Sequence, residues 1–167
     1  INIDECLYIA NNIVDEIRES DTMIIETINL SSFDNYTYEH SINVDILSVI
    51  LGIGLGLKDD ELRKLSQAAL LHDIGKTAVP IEILNKPGKL TDEEYNKIKE
   101  HTVIGHQILD NTSSDNLSND ILEFAKEITL HHHEKYDGTG YPDGLKGDEI
   151  NIISRIMAVI DVYDALV

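Results

Sequence analysis

The chain has 167 residues, a formal net charge of -18 at pH 7 and a single cysteine, Cys6. This length suits one domain with at most a short additional segment, and it is enough to bury a hydrophobic core. A single cysteine excludes an internal disulfide framework and favours a reducing compartment, so we expect a cytoplasmic location. No apolar run is long enough to span a membrane, and residues 1–20 lack the basic start and apolar centre of a signal peptide.

The excess of acidic residues argues against a nucleic-acid polymer as the main partner. Binding to a phosphate backbone normally requires a surplus of lysine and arginine, which this chain lacks. A small phosphate substrate is compatible with the charge if bound divalent cations reverse the local field. An acidic protein that acts on phosphate is therefore expected to contain a metal site.

The N-terminal part of the chain shows helical periodicity. Apolar residues at helical spacing predict an amphipathic helix over residues 4–19, and residues 22–30 predict a short second helix. A polar break follows at residues 31–35. We expect residues 1–30 to form lead-in helices that pack on a core domain spanning residues 31–167, and the chain to continue beyond Val167 in the intact protein.

The next two helices carry the first polar residues that are predicted to face inward. His40 shares one helical face with Val44, Leu47 and Leu51, which places it toward the core. The following helix is predicted to begin at the acidic residues near Asp59 and to run to His72 and Asp73, with Gly75 as its C-cap.

The C-terminal half supplies the remaining inward-facing polar residues. Thr91–Glu94 has the pattern of a capping box and opens a helix whose apolar stripe includes His101. The next helix places His132 and His133 on its apolar face, whereas His131 lies off that face.

An irregular loop and a last helix complete the chain. The loop over residues 137–147 is rich in glycine, and the last helix, from Asn151 onward, carries Asp161 inside an apolar run. No stretch alternates as a β-strand would. The predicted fold is therefore all-α.

Seven polar residues on inward faces point to a metal site. Each of them alone would be explained as a hydrogen-bonded core residue, but buried acids and imidazoles are costly unless they are paired or bind metal. Imidazole and carboxylate without thiolate suit iron, manganese, nickel or zinc. The seven candidates are His40, His72, Asp73, His101, His132, His133 and Asp161.

Five motifs together resemble the HD-GYP family of metal-dependent cyclic-dinucleotide phosphodiesterases. They are His72–Lys76, Lys86–Gly88, His101, His132–Glu134 and Asp137–Pro142, and the resemblance extends roughly from Ile13 to Val167. It implies a multi-helix HD-domain bundle with an irregular Gly-Tyr-Pro loop between the last two helices. In the family the domain usually continues further, so the resemblance implies a truncated C-terminus here.

The resemblance also implies how the candidate ligands divide between two divalent ions. One ion would be bound by His40, His72, Asp73 and Asp161. The second would share Asp73 as a bridging carboxylate and add His101, His132 and His133. Some members bind a third metal through a glutamate at the position of Tyr36, so two ions are expected here. Iron or manganese is the expected metal, with nickel and zinc as alternatives.

The family pattern assigns further roles near the metals. Asp73 and Lys76 are the candidate catalytic residues, with Lys76 contacting a substrate phosphate; the alternative is a solvated lysine at a helix end. Gly140, Tyr141 and Pro142 are expected to contact substrate or partner domains, with a tight turn as the simpler alternative. Glu134 is expected to orient a ligand histidine, with a surface ion pair as the alternative.

The resemblance implies hydrolysis of cyclic di-GMP to linear pGpG, with further cleavage to GMP left open. A water that bridges two cations loses a proton near neutral pH and attacks phosphorus in line. One alternative is another cyclic dinucleotide, such as cyclic GMP-AMP, or another nucleotide. A second alternative is a weakly catalytic signalling or binding module. The family further implies a regulatory domain upstream and signalling partners that contact the Gly-Tyr-Pro loop.

Overall fold

The computed structural model describes residues 3–19, 36–112 and 118–167, and these parts of the chain contain seven α-helices and no β-strand. The all-α prediction is therefore confirmed. The helix predicted over residues 22–30, the polar break at 31–35 and part of the polar loop before the sixth helix lie outside the described residues. The helices are α1 (Ile3–Glu19), α2 (Tyr36–Gly54), α3 (Asp59–Leu71), α4 (Ile81–Leu84), α5 (Asp92–Asp110), α6 (Asn119–His131) and α7 (Ile152–Leu166).

Helix α3 lies at the centre of the bundle. It packs against α1, α2 and α6, while α5 packs against α6 and α7 packs against α2 and α6. The main hydrophobic core combines residues from α2, α3, α5, α6 and α7, so one core supports every helix that carries a candidate ligand. Representative core residues are Val44, Leu65, Leu109, Ile128 and Met157.

Helix α1 packs on this core as the N-terminal part of the described chain. Its residues Leu7, Ala10 and Val14 are buried. The hydroxyl of Ser66 donates a hydrogen bond to the carbonyl oxygen of Ala10 at 3.1 Å, which ties α1 to α3. No helix among the described residues is both long and apolar enough to cross a membrane.

The end of α3 differs from the sequence-based prediction. The helix ends at Leu71, His72 is its C-cap, and a 3₁₀ turn over Ile74–Ala78 follows. Gly75 is therefore not the C-cap. A Cβ atom at Gly75 would lie 1.9 Å from the carbonyl oxygen of His101, so this glycine lets the turn approach α5 closely.

Helices α5 and α6 present their histidines as the periodicity predicts. The capping box is confirmed: Glu94 N donates to Thr91 Oγ1 at 3.2 Å, and Thr91 N donates to Glu94 Oε2 at 2.8 Å. Helix α6 ends at His131, but His132 N still donates to the carbonyl oxygen of Ile128 at 2.9 Å. The helical path therefore continues through His132, and the predicted inward face is preserved beyond the last residue of α6.

Replacing Gly75 with alanine is expected to destabilise the protein, because the added methyl group would collide with the backbone of α5. Overpacking of this kind costs about 1–3 kcal/mol. Urea unfolding would measure the change. Gly54→Ala is the matched control, because a Cβ atom there meets nothing within 4 Å. Equal free energies of unfolding for the two variants would contradict the proposed close approach.

Candidate metal centre

All seven residues predicted from the sequence meet in one region of the bundle. They come from α2, α5 and α7 and from the segments that directly follow α3 and α6. Their potential ligand atoms form two groups, and within each group the atoms lie within 4.8 Å of one another. One group is Asp73, His101, His132 and His133, and the other is His40, His72 and Asp161.

Asp73 lies between the two groups, with one carboxylate oxygen toward each. Its Oδ2 is 3.3 Å from His72 Nε2 and 3.6 Å from His40 Nε2. Its Oδ1 is 3.3 Å from His101 Nε2 and 3.7 Å from His132 Nε2. A carboxylate that bridges two metal ions needs this arrangement.

Asp161 also reaches both groups from α7. Its Oδ1 lies 3.1 Å from His40 Nε2 and 3.9 Å from His72 Nε2, while its Oδ2 lies 3.6 Å from His133 Nδ1. Only 8% of Asp161 is exposed, so α7 closes the centre on one side.

Three of the histidines are oriented by main-chain carbonyl groups. A carbonyl oxygen only accepts hydrogen bonds, so each Nδ1 carries the proton and each Nε2 presents a lone pair to the centre. The acceptors are Ala69 for His72 at 2.6 Å, Ile98 for His101 at 2.5 Å, and Ile128 and Thr129 for His132 at 3.0 and 3.1 Å.

Buried atoms without hydrogen-bond partners show that these residues fit metal coordination. His72 Nε2 and Asp73 Oδ1 are buried and make no hydrogen bond. His101 Nε2 and His132 Nε2 lie 3.3 Å apart, although each Nδ1 already holds the ring proton. A buried polar atom without a partner costs about 1–3 kcal/mol. A cation bound by these atoms would remove that cost.

The two carboxylates of the centre are held in their ionised form. Burial alone would raise the pKa of Asp73, but His72, His101 and Lys76 together lower that pKa well below its usual value. Burial likewise opposes ionisation of Asp161, yet hydrogen bonding to His40 and the proximity of His72 and His133 lower its pKa. Ionised carboxylates are the form that binds metal.

The pKa values of the imidazoles shift in opposite directions on the two sides of the centre. Burial, reinforced by neighbouring imidazoles, lowers the pKa of His132 well below its usual value and that of His133 to about 4. For His40, burial is outweighed by Asp161, Asp164 and Asp73, and its pKa is raised. His132 and His133 are therefore neutral at neutral pH, which is the form in which imidazole binds a cation.

Lys76 contacts the centre directly. Its Nζ donates a hydrogen bond to Asp73 Oδ2 at 2.5 Å from the 3₁₀ turn that follows α3. Lys76 is therefore not the fully solvated lysine that was considered as the alternative. Lys76 adds one positive charge beside the buried carboxylate.

The Gly-Tyr-Pro loop packs against the histidines of the centre. The rings of Tyr141 and His133 have centroids 4.9 Å apart, and Tyr141 N donates to the carbonyl oxygen of His133 at 3.2 Å. Burial raises the pKa of Tyr141, so its hydroxyl stays protonated. A Cβ atom at Gly140 would lie 2.3 Å from Lys135 N, so this position requires glycine. Pro142 follows through a cis peptide bond.

Glu134 supports this loop. Only 3% of the residue is exposed, so it is not a surface ion pair. Its Oε1 accepts hydrogen bonds from Asp143 N at 2.7 Å and Gly144 N at 2.9 Å, and its Oε2 is buried without a hydrogen-bond partner among the described residues, so the orienting role toward a ligand histidine stays a prediction. Helical periodicity carries no signal for such a contact with a later loop.

His131 lies outside both ligand groups, in agreement with its predicted position. Its Nδ1 is 3.0 Å from Glu127 Oε1 and its Nε2 is 3.0 Å from Asp143 Oδ2. The imidazole therefore links α6 to the Gly-Tyr-Pro loop.

One residue near the centre was missed in the sequence analysis. Asp164 Oδ2 lies 2.7 Å from His40 Nδ1. The sequence could have indicated this residue, because a position three residues after Asp161 places both carboxylates on one face of α7.

The helical bundle and its paired groups of histidine and aspartate define an HD-type metal centre. The sequence profile of the HD domain family matches residues 25–167, and the chain belongs to this family. The resemblance found from the motifs is thereby confirmed.

Two relatives and one solved structure show which proteins the chain resembles. It is 42% identical over 161 residues to cyclic di-GMP phosphodiesterase PA4108 of Pseudomonas aeruginosa, covering 94% of this chain and 37% of that protein. It is 44% identical over 111 residues to 3'3'-cGAMP-specific phosphodiesterase 2 of Vibrio cholerae, covering 66% of this chain and 20% of that protein. The chain thus spans less than half the length of either relative. Bd1817, an HDG"Y"P protein from Bdellovibrio bacteriovorus, has the same fold with a TM-score of 0.81 at 24% identity, over 98% of this chain and 52% of that protein.

Glu134→Ala is expected to lower the free energy of unfolding by about 1–3 kcal/mol, because two loop amides lose their buried acceptor. Glu134→Gln keeps an oxygen at this position and should retain most of the stability. Urea unfolding of both variants measures the difference, with Glu123→Ala as an exposed control. A fully stable Glu134→Ala variant would contradict the role of Glu134 in holding the loop.

Stability of the metal-free protein is expected to fall as pH decreases from about 6.5 toward 4. In this range the unfolded chain protonates His133, whereas the folded protein, with a pKa of about 4, does not. Each such imidazole contributes a slope of up to about 1.4 kcal/mol per pH unit, and His40, whose pKa is raised, acts in the opposite direction.

Urea unfolding of chelator-treated protein at several pH values measures this dependence. His133→Ala should reduce the slope, and His106→Ala is the control. An unchanged slope in His133→Ala would show that His133 does not remain neutral in the folded protein.

Proposed function

We propose that the chain is a metal-dependent phosphodiesterase domain that hydrolyses cyclic di-GMP to linear pGpG, with further cleavage to GMP left open. The observation that carries the proposal is Asp73, whose two oxygens face two separate groups of histidines. The name of the Pseudomonas relative supports this activity and substrate.

We infer that the centre binds two divalent ions through the two groups, with Asp73 shared between them. The grouping of the ligand atoms supports this division, because His40, His72 and Asp161 form one cluster and Asp73 completes the other. Iron or manganese is the proposed metal, and nickel and zinc remain alternatives. The donor set of imidazole and carboxylate, without thiolate, supports all four.

Bound divalent ions lower the pKa of water and stabilise the negative charge that develops on phosphoryl oxygens during in-line attack. Asp73 contributes an ionised carboxylate to both halves of the centre. Lys76 places its ammonium group at Asp73 Oδ2, where its charge can attract a substrate phosphate. We assign Asp73 and Lys76 the catalytic roles on this basis.

The Gly-Tyr-Pro loop forms the wall of the proposed substrate site. The Tyr141 ring packs at a tilt against His133 and keeps a protonated hydroxyl, and Lys99 Nζ lies 5.9 Å from the centroid of the Tyr141 ring. Together these groups provide an aromatic face, a hydrogen-bond donor and a positive charge. A cyclic dinucleotide, with bases and phosphates, suits such a surface.

A different cyclic dinucleotide is the second candidate substrate. The match to a relative named as specific for 3'3'-cGAMP favours this alternative over unrelated nucleotides. A weakly catalytic signalling or binding module is a third possibility, and the complete set of seven candidate ligands argues against it. We further propose a cytoplasmic location, an upstream regulatory domain and protein partners at the Gly-Tyr-Pro loop.

The first test is anaerobic hydrolysis of cyclic di-GMP with added iron(II) or manganese(II), followed by chromatography of the products. Asp73→Ala is expected to lower turnover by about 10³-fold or more, because both ligand groups lose the shared carboxylate. His132→Ala should have a similar effect.

The adjacent imidazole provides a matched control. His131→Ala should keep turnover within about threefold of the wild type, because this histidine belongs to neither ligand group and pairs instead with Glu127 and Asp143. Equal losses in His131→Ala and His132→Ala would contradict the ligand assignment. Turnover of cyclic GMP-AMP alone would instead select the second candidate substrate.

A further inference from the structure

His40 differs from three other histidines of the centre in the group that contacts its Nδ1. In His72, His101 and His132, Nδ1 donates to a carbonyl oxygen on the preceding turn of the same chain segment. In His40, Nδ1 lies 2.7 Å from the carboxylate of Asp164, which is 124 residues away on α7. The orientation of this imidazole therefore depends on a second helix.

Helix α7 contacts both nitrogens of the same ring. Asp161 Oδ1 is 3.1 Å from His40 Nε2, and Asp164 Oδ2 is 2.7 Å from His40 Nδ1. The two aspartates are one helical turn apart and lie on the same face. The Asp164 side chain is 10% exposed and that of His40 is 5% exposed, so water competes little for this contact.

Asp164 is not itself a candidate ligand. Among the described residues, neither group of potential ligand atoms includes it, and it lies on the opposite edge of the imidazole from Asp73 and Asp161. Its carboxylate accepts the Nδ1 proton, and a charged acceptor forms a hydrogen bond about twice as strong as a neutral carbonyl does.

We propose that Asp164 is a positioning residue, which holds the proton of His40 on Nδ1 and directs the Nε2 lone pair into the metal centre. This inference rests on the proposed metal centre and does not depend on the identity of the substrate. Carboxylates in this position increase the basicity of a ligand histidine and fix its orientation. Asp164 would therefore strengthen metal binding in the group of His40, His72 and Asp161 and leave the other group unaffected.

The test measures manganese(II) binding to chelator-treated protein by calorimetry, with Asp164→Ala, Asp164→Asn and wild type compared. Loss of a carboxylate that orients a ligand histidine lowers metal affinity by about 10–100-fold. We expect this loss for one of two ions in Asp164→Ala and a smaller loss in Asp164→Asn, whose amide oxygen still accepts a hydrogen bond. Asp148→Ala is the control, because Asp148 is exposed on a 3₁₀ turn just before α7.

A second measurement reports on the imidazole itself. Nitrogen-15 NMR of histidine side chains in the metal-free protein, at about pH 9 where imidazoles are neutral, distinguishes the two tautomers. Asp161 faces Nε2 and Asp164 faces Nδ1, so Asp164→Ala should shift the His40 proton toward Nε2 relative to the wild type. If the alanine variant unfolds, Asp164→Asn should show a smaller shift in the same direction, because its neutral amide oxygen is a weaker acceptor than a carboxylate.

The outcomes separate this inference from the proposed activity. Weakened metal binding in Asp164→Ala, together with the predicted shift of the His40 proton, supports the positioning role even if cyclic di-GMP is not hydrolysed. Unchanged affinity in both Asp164 variants, or an unchanged tautomer population in Asp164→Ala, would overturn it. A wild type that binds no manganese(II) would overturn both the metal centre and the role of Asp164.

Discussion

The buried carboxylate of Asp73 is the group on which the centre depends. Moving an ionised carboxylate out of water costs several kcal/mol unless positive or hydrogen-donating groups surround it. Here Lys76 donates to one of its oxygens, and the Nε2 atoms of His40, His72, His101 and His132 surround both oxygens, where bound cations would supply further positive charge. These groups come from different elements of the fold. The same helix packing that forms the core therefore also brings the stabilising groups to Asp73.

The position of Asp73 depends in turn on a close contact between backbones. The 3₁₀ turn that follows Asp73 packs against α5 where Gly75 meets the carbonyl oxygen of His101, and Gly105 contacts the same turn. Two residues without side chains bring the turn close enough for Asp73 to reach His101. The two glycines are therefore as necessary to the centre as the ligands, because a side chain at either position would keep the turn away from α5.

Helical periodicity predicted most of the centre because most of its residues sit on regular helical faces. His40 and His101 lie on buried stripes, and the helical path persists through His132 after α6 has ended. The periodicity could not predict the roles of Gly75 and Glu134, because they depend on contacts with other elements. For Asp164 it could indicate only the face shared with Asp161, and not the contact with His40. Glu134 binds amides nine and ten residues later, and Asp164 contacts a ring 124 residues earlier.

The two ligand groups occupy very different spans of the chain. One group lies between residues 73 and 133, whereas the other extends from residue 40 to residue 161. The entropic cost of closing the longer span exceeds that of the shorter by only about 0.6 kcal/mol, since each doubling of loop length adds about that amount. The two groups differ more clearly in the point of synthesis at which the chain contains all of their residues. The chain contains every member of the first group once it reaches His133, whereas the second group lacks its last carboxylate until α7 is made.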